Sequence, residues 1–206
     1  MLLGIAILIG CYLLGSITTG DIVAAIKKVN LRNQGSGNIG ATNAFRTMGS
    51  VSGAIVLVGD ALKGVIAVIL GSLIPKFHGF DPAIIAGVLV IAGHNWPIFA
   101  NFRGGKGIAT SLGVIIALTP LSLIVIIPAW IIVFLCFGYV SLASIMAAVF
   151  YPVGVYFFYQ IDPYKIGFSI LIAVLALYRH RSNFKRLATG EEHRILYQNR
   201  KGATKK

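Results

Sequence analysis

The sequence predicts an all-α polytopic membrane protein with seven transmembrane helices, an external N-terminus and a cytoplasmic C-terminus. Of the 206 residues, 57% are hydrophobic and only 12% are charged, and the mean hydropathy is +0.85. Soluble domains carry roughly 25% charged residues. The apolar residues also occur in runs of membrane-spanning length, so we expect residues 1–206 to form a single integral membrane domain.

Five apolar runs have the length of a single span, since about 20 apolar residues cross a hydrocarbon core about 30 Å thick. They are 2–26, 50–74, 82–100, 141–159 and 163–179. The stretch 107–138 is too long for one span and short for two. We expect run 2–26 to be a permanent span, because it lacks the basic start and small-residue cleavage site of a signal peptide.

The basic residues decide how 107–138 crosses the membrane. If it forms two spans that turn near Thr119-Pro120, most Lys and Arg residues fall on one side. These are Lys27, Lys28, Arg32, Arg46, Arg103, Lys106, Arg179, Arg181, Lys185, Arg186, Arg194, Arg200, Lys201, Lys205 and Lys206. Because cytoplasmic loops are enriched in Lys and Arg, seven spans are predicted. This orientation accounts for the net charge of +12, and we expect no nucleic-acid partner.

Three polar segments, 35–46, 93–107 and 179–192, then reach the same cytoplasmic face. The first, "GSGNIGATNAFR", contains glycines, neutral hydrogen-bonding groups and one guanidinium. Its candidate ligand-binding residues are Ser36, Gly37, Asn38, Thr42, Asn43 and Arg46. Consecutive backbone amides before a helix N-terminus favour anions. The alternative is a flexible loop of turn-forming residues.

The second segment, "GHNWPIFANFRGGKGIATSLG", superficially resembles a nucleotide-binding loop. It fails that pattern, because position 100 is Ala and Gly107 follows Lys106 where Ser or Thr would hold magnesium. The exposed amides around Gly104 and Gly105, together with the lysine, suit one phosphate group. The alternative is an ordinary basic turn. We expect neither a metal nor a cofactor.

The third segment, "YRHRSNFKRLATGEEHRI", is a basic stretch that would attract acidic headgroups. Asn183, Arg186 and the carboxylates of Glu191 and Glu192 are unnecessary for that purpose and fit better as part of a site. Within the second span, Asp60 and Lys63 are three residues apart, and we expect them to form an ion pair.

The three segments resemble, in order and wording, those of the bacterial acyl-phosphate:glycerol-3-phosphate acyltransferase family, and the match covers the whole chain. The resemblance implies transfer of a fatty acyl group from acyl phosphate to the 1-hydroxyl of sn-glycerol 3-phosphate. The products are lysophosphatidate and phosphate, in the first step of membrane phospholipid synthesis. It also implies the bacterial cytoplasmic (inner) membrane, an active site at its cytoplasmic face, contact with membrane lipid, and a soluble acyltransferase that makes the acyl phosphate.

The resemblance also implies which residues act. The catalytic candidates are Ser36, Asn38, Arg46, Lys106, His180, Asn183 and Glu192. The substrate-binding candidates are Gly37, Thr42, Asn43, Gly104, Gly105, Gly107 and Arg186.

The chain lacks the usual acyltransferase motif, since no His is followed five positions later by Asp, and it lacks a G-x-S-x-G elbow. We therefore expect direct attack by the substrate hydroxyl, with its proton passing to a phosphate or to His180. Lys106 and Arg46 would clamp phosphates, Ser36 and Asn38 would orient the hydroxyl or the carbonyl, and Glu192 would hold a cationic partner. The alternatives are an organophosphate transporter with a cationic cytoplasmic vestibule and a lipid-binding scaffold.

Overall fold

The computed structural model describes residues 1–76 and 78–196, and within them the chain forms ten α-helices and three short 3-10 turns. The helices are α1 (Leu2–Ser16), α2 (Thr19–Ile26), α3 (Ala41–Met48), α4 (Ser50–Ser72), α5 (Ala83–Asn95), α6 (Ile108–Leu118), α7 (Leu123–Phe137), α8 (Val140–Tyr159), α9 (Pro163–Arg179) and α10 (Arg181–Ala188). Four basic residues of the predicted cytoplasmic tail, Arg200, Lys201, Lys205 and Lys206, lie outside the described residues.

The first apolar run is broken, which the sequence does not predict. Helices α1 and α2 meet at a bend of 42°, where Ile17 and Thr18 have extended backbone dihedrals. The carbonyls of Gly15 and Ile17 each accept a hydrogen bond of 2.9 Å from the Lys63 ammonium. A buried cation therefore satisfies carbonyl groups that the break leaves without helical partners.

The ion pair predicted inside the second span is confirmed. Lys63 Nζ lies 3.0 Å from Asp60 Oδ1, and the two side chains are 5% and 1% exposed. Thr19 at the start of α2 donates its hydroxyl to the same carboxylate oxygen at 3.1 Å. The pair thus joins α4 to the bend of the first run, and it stays inside the bundle because its charges are matched.

The stretch 107–138, predicted to form two spans, forms two helices; α7 with its preceding turn is long enough to cross a membrane, whereas α6 is a shorter apolar helix. Helix α6 ends at Leu118, a 3-10 turn covers Pro120–Ser122, and α7 begins at Leu123. Pro120 has no backbone N–H and so interrupts the helical hydrogen bonds. The Thr119 hydroxyl lies 3.0 Å from the Tyr151 hydroxyl of α8. The break therefore coincides with the expected Thr119-Pro120 turn and is tied to a neighbouring helix.

Some of the helices have the length and apolar composition of membrane-spanning elements. In the described part of the chain, four are long and apolar enough to cross a membrane: α4, α5 with its following turn, α7 with its preceding turn, and α8; the bent α1–α2 pair makes a fifth. Helix α5 packs against α1 and α4, α4 against α6, and α8 against α7 and α9. Only Ile126 is buried on α7, so that helix presents an apolar outer surface suited to lipid.

Candidate active site

A cavity of about 230 Å³ lies where the three polar segments meet. Its lining residues are Ser36, Gly37, Asn38, Gly104, Lys106, Arg179, Arg181, Ser182 and Arg186. Each of the three segments contributes, which confirms the prediction that they come together. The cavity lies between the loop before α3, the loop before α6, and the end of α9 with α10.

One buried asparagine shapes the first loop. Asn43, only 1% exposed, accepts a hydrogen bond of 2.9 Å from the Ser36 N–H. Its Nδ2 donates to the backbone carbonyls of Leu31, Gln34 and Asn38 at 2.9 to 3.1 Å. The amide of Asn43 therefore binds the loop itself, and it fixes the backbone that presents Ser36 and Asn38 to the cavity.

The loop also depends on left-handed backbone at two glycines. Gly35 and Gly37 have φ values of +58° and +70°, which glycine adopts without a steric penalty. Asn38 Oδ1 accepts a 3.0 Å hydrogen bond from the Gly40 N–H. The Nδ2 of Asn38 is consequently the group of this side chain that can donate to a ligand.

Arg46 and Thr42 lie further along α3 and do not line the cavity. Partial desolvation lowers the pKa of Arg46, while the charge of Glu192 raises it and that of Arg186 lowers it. Arg46 is therefore within electrostatic reach of the third segment. Its side chain is exposed.

The glycine pair Gly104-Gly105 is held from two sides. Below it, the Gly105 N–H donates to the His94 carbonyl at 3.1 Å, and a Cβ at either glycine would clash with His94. Above it, Arg179 donates to the carbonyls of Gly104 and Gly105 at 2.6 to 2.9 Å. The Arg179 guanidinium also lies 5.4 Å from the Trp96 ring centroid, within cation–π distance.

Sequence reasoning missed Arg179, which it counted only as one positive charge of the tail. Its partners precede it by 74 and 75 residues, so no local pattern could reveal the contact. The planar guanidinium presents its donors in a rigid fork and lies over the Trp96 ring, a geometry that the compact charge of a lysine does not reproduce.

Lys106 places a partly buried ammonium group at the cavity. Within the described residues its ammonium has no hydrogen-bond or ion-pair partner among the contacts of the structure. Burial lowers its pKa to about 8, the Glu192 carboxylate opposes that shift, and Arg186 and Arg179 add to it. At neutral pH the group is charged, partly desolvated and unpaired, so an anion would bind it favourably.

Glu192 orients Arg186, as the sequence suggested for a carboxylate beside a cation. It accepts hydrogen bonds from Arg186 Nε at 2.8 Å, Asn183 Nδ2 at 2.9 Å and Ser141 Oγ at 2.9 Å. Burial raises the pKa of Glu192, but these hydrogen bonds outweigh burial and leave the pKa below its ordinary value. Ser141, at the start of α8, was also missed, since it lies 51 residues before its partner.

His180, between α9 and α10, is 2% exposed and does not line the cavity. Its Nδ1 lies 2.7 Å from the Ala176 carbonyl. Because a carbonyl only accepts, Nδ1 carries the proton and Nε2 is the basic nitrogen. Burial, followed by the charge of Lys106, lowers the pKa of His180 to about 4, so the ring is neutral at pH 7.

The cavity is strongly electropositive and rich in hydrogen-bond donors. Four lining residues, Lys106, Arg179, Arg181 and Arg186, are cationic, and no carboxylate lines the cavity within the described ranges. Gly107, with a φ of +80°, begins α6 at its edge, which adds the positive end of a helix dipole. Such a site suits phosphate groups.

Comparison with known proteins gives consistent matches over nearly the whole chain. Residues 5–190 match the family model described as glycerol-3-phosphate acyltransferase. The chain is 44% identical to glycerol-3-phosphate acyltransferase 2 of Moorella thermoacetica, over 91% of this chain and 95% of that protein. It is 42% identical to the glycerol-3-phosphate acyltransferase of Aquifex aeolicus, over 92% of this chain and 97% of that one.

Solved structures agree. A crystal structure of PlsY, an integral membrane glycerol 3-phosphate acyltransferase in its glycerol 3-phosphate form, has a TM-score of 0.86 and 41% identity, covering 93% of this chain and 94% of that one. The lysophosphatidic acid form gives a TM-score of 0.83 at 39% identity over the same shares of the two chains. By family model, sequence identity and helical architecture, the chain belongs to the glycerol-3-phosphate acyltransferase family of integral membrane enzymes.

Proposed function

We propose that this enzyme transfers a fatty acyl group from acyl phosphate to the 1-hydroxyl of sn-glycerol 3-phosphate, giving lysophosphatidate and inorganic phosphate. The observation that carries the proposal is the cavity in which an unpaired Lys106 lies among three arginines and loop amides. The glycerol 3-phosphate and lysophosphatidic acid forms of PlsY support the same acceptor and product. Two phosphate-bearing substrates would use the several cationic groups.

The donor proposal follows from the chemistry of the site. An acyl phosphate is a mixed anhydride whose leaving group is phosphate, so it needs positioning and charge neutralisation more than a strong protein nucleophile. The chain lacks the His-Asp motif that activates a hydroxyl in larger acyltransferases. The residues present, chiefly Lys106, Arg186 and the amides of the loops, supply what such a donor requires.

The acyl group passes directly between the substrates. The 1-hydroxyl oxygen attacks the carbonyl carbon, the bond from that carbon to the phosphate oxygen breaks, and phosphate leaves with the electron pair. Lys106 and Arg46 neutralise the phosphates, and Ser36 and Asn38 orient the hydroxyl or the carbonyl. Positioning of this kind contributes about 7–11 kcal/mol to lowering a barrier.

The hydroxyl proton passes to a substrate phosphate. His180, the protein alternative, has a pKa of about 4, and it donates its Nδ1 proton to the Ala176 carbonyl. A phosphate monoester has a second pKa of about 6 and is the stronger base. The low basicity of the imidazole therefore supports substrate phosphate as the acceptor of the proton.

We also propose seven membrane crossings, with the N-terminus outside and the C-terminus in the cytoplasm. The loop that carries Lys106 and the end of α9 share one cavity, so an even number of crossings must separate them. Ser141 at the start of α8 bonds Glu192, which supports the same face for the α7–α8 turn. Helices α6, α7, α8 and α9 as four crossings satisfy both contacts.

We further propose a cellular setting for the enzyme. Residues 1–206 form one domain of the bacterial inner membrane, and the cavity opens at the cytoplasmic face, where soluble glycerol 3-phosphate is available. The acyl tail lies among the membrane lipids, and a soluble acyltransferase supplies the acyl phosphate. The two charged side chains buried within α4, Asp60 and Lys63, pair with each other and provide no support for a transport pathway.

The test is product formation by the purified enzyme in detergent, supplied with acyl phosphate and glycerol 3-phosphate. We expect lysophosphatidate and phosphate in equal amounts, together with sequential kinetics. The matched control is Lys106→Met, which removes the unpaired ammonium and should abolish most of the turnover. A folded preparation without product refutes the acyltransferase proposal, whereas ping-pong kinetics or an acyl adduct on Ser36 refutes direct transfer.

A further inference from the structure

A buried polar cluster inside the helical bundle has no part in the transfer described above. It consists of Asp60 and Lys63 of α4 and His94 of α5, whose side chains are at most 5% exposed. Lys63 Nζ lies 3.0 Å from Asp60 Oδ1 and 3.0 Å from His94 Nδ1. The same Nδ1 lies 3.6 Å from Asp60 Oδ1, so all three side chains of the cluster are in mutual polar contact.

The cluster is anchored to the bend of the first apolar run. Lys63 also donates to the carbonyls of Gly15 and Ile17, each at 2.9 Å. The Asp60 carboxylate accepts from the Thr19 hydroxyl at 3.1 Å. Lys63 therefore has partners on α1, α4 and α5, which fix the ammonium and, through it, the orientation of the His94 ring.

The other side of His94 supports the loop that carries Lys106. The His94 carbonyl accepts the Gly105 N–H at 3.1 Å, and a Cβ at Gly105 would overlap the imidazole. The backbone immediately before Lys106 thus rests on the ring. In residues 1–76 and 78–196, His94 is the one member of the buried cluster whose side chain also contacts this loop.

We propose that Lys63 and His94 are positioning residues that fix the Gly104-Gly105 loop and thereby place the Lys106 ammonium in the cavity. The inference rests on the proposed role of Lys106 as a phosphate clamp. Stability alone does not explain the cluster, because a buried ion pair is often replaced by apolar residues at little cost. The continuous chain of contacts from Lys63 through His94 to Gly105 gives the cluster a functional reason.

Two variants test whether the contacts from Lys63 through His94 to Gly105 position the loop. His94→Phe keeps an aromatic ring beneath Gly105 but removes the ring nitrogen that contacts Lys63. The paired change Asp60→Asn with Lys63→Met removes both charges together, so that neither is left unpaired. In each we expect kcat/KM to fall roughly 100-fold, mainly through a higher KM for a phosphate substrate, since misplacement by about 1 Å has effects of this size.

A double-mutant cycle separates positioning from stability. In the Lys106→Met background, the same changes should lower kcat/KM by less than about 3-fold, because the group that they position is gone. Calorimetric titration with glycerol 3-phosphate gives the affinities of the same variants, so the cycle can also be evaluated from binding without turnover. The control is Tyr151→Phe, which removes a buried hydrogen bond to Thr119 at the opposite end of α6 from the loop and should leave both kcat/KM and affinity unchanged.

Two results would overturn the inference. One is a decrease in kcat/KM that is equally large in the Lys106→Met background and in the wild-type background; the other is an unchanged KM in folded His94→Phe. His94→Phe leaves the Asp60–Lys63 pair intact. It therefore remains a valid test if thermal unfolding shows that the paired variant is not folded. An inactive but folded wild-type enzyme refutes the proposed function. An active wild-type enzyme with an additive cycle refutes the positioning role alone.

Discussion

The Nε–H of Arg186 donates a 2.8 Å hydrogen bond to Glu192 Oε2 across a turn of only six residues. Arg186 lines the cavity, whereas Glu192 stands behind it with a side chain that is 8% exposed. Ser141 and Asn183 hold the other carboxylate oxygen. A carboxylate fixed on three sides thus sets the direction of a cation that faces the substrate.

Replacing Glu192 by Gln should lower kcat/KM at least 10-fold, because Arg186 loses the charged partner that orients it. The matched control is Glu191→Gln, since the Glu191 carboxylate accepts a hydrogen bond from the exposed Thr189 hydroxyl and does not contact Arg186 among the described residues; near-normal activity is expected there. Steady-state assays of both variants make the comparison. Equal losses in the two variants would show that the orientation of Arg186 is unimportant.

The same contact gives a pH dependence of stability. The pKa of Glu192 is below its ordinary value, so the ionised group stabilises the folded state above that ordinary value and loses this effect as pH falls. We expect Glu192→Gln to melt at a lower temperature than wild type at pH 7. Melting curves in detergent should converge as the buffer is acidified below pH 4.5, and a constant difference would contradict the prediction.

Arg179→Lys should be nearly as inactive as Arg179→Met. Lysine keeps the charge but lacks the rigid planar fork that binds the Gly104 and Gly105 carbonyls and the guanidinium plane that lies over the Trp96 ring. Loss of a charge-assisted hydrogen bond costs about 1.5–3 kcal/mol, equivalent to a decrease in kcat/KM of roughly 10- to 100-fold. Full activity of the lysine variant would mean that charge alone suffices at this position.

Binding of phosphate substrates should weaken as pH rises through about 8. Burial lowers the pKa of Lys106 to about 8, so deprotonation removes the cation above that value and KM increases. In Lys106→Arg the charge persists to much higher pH, and the increase in KM near pH 8 should disappear. The test is to measure KM from pH 6.5 to 9.5 for the wild type and for Lys106→Arg. An identical pH dependence in the two proteins would assign the titration to another group.

Asn43→Ala and Asn43→Asp should be similarly destabilised, by about 1–3 kcal/mol. Alanine removes all four hydrogen bonds of the amide, including the one from the Ser36 N–H. Aspartate keeps that acceptor but turns an oxygen toward the carbonyls of Leu31, Gln34 and Asn38. Thermal unfolding and the KM for glycerol 3-phosphate provide the readouts; an aspartate variant equal to wild type would contradict this role.

The acid limb of kcat/KM should lie near pH 6, where a phosphate monoester loses its second proton. His180 would instead place the limb near its own pKa of about 4. A phosphonate analogue of glycerol 3-phosphate has a higher second pKa and should move the limb upward. A limb that stays near pH 4 with both acceptors would identify His180 as the base.

Much of this architecture is already determined by the sequence. Long apolar runs can satisfy their backbone in lipid only as helices, and α8 and α9 begin and end within one residue of the predicted 141–159 and 163–179. The Asp60–Lys63 pair was predictable because residues three apart on a helix are neighbours. The three polar segments could be assigned to one face because basic loops stay in the cytoplasm.

The tertiary structure alone decided which residues shape the site. Arg179 holds a loop more than 70 residues earlier in the chain, Ser141 reaches Glu192 over 51 residues, and Lys63 reaches the α1–α2 bend and His94. Such contacts depend on how the helices pack, and hydrophobic periodicity carries no information about a partner that distant. The sequence therefore determined the membrane-spanning elements and the chemical groups, and the packing of those elements determined which group positions which.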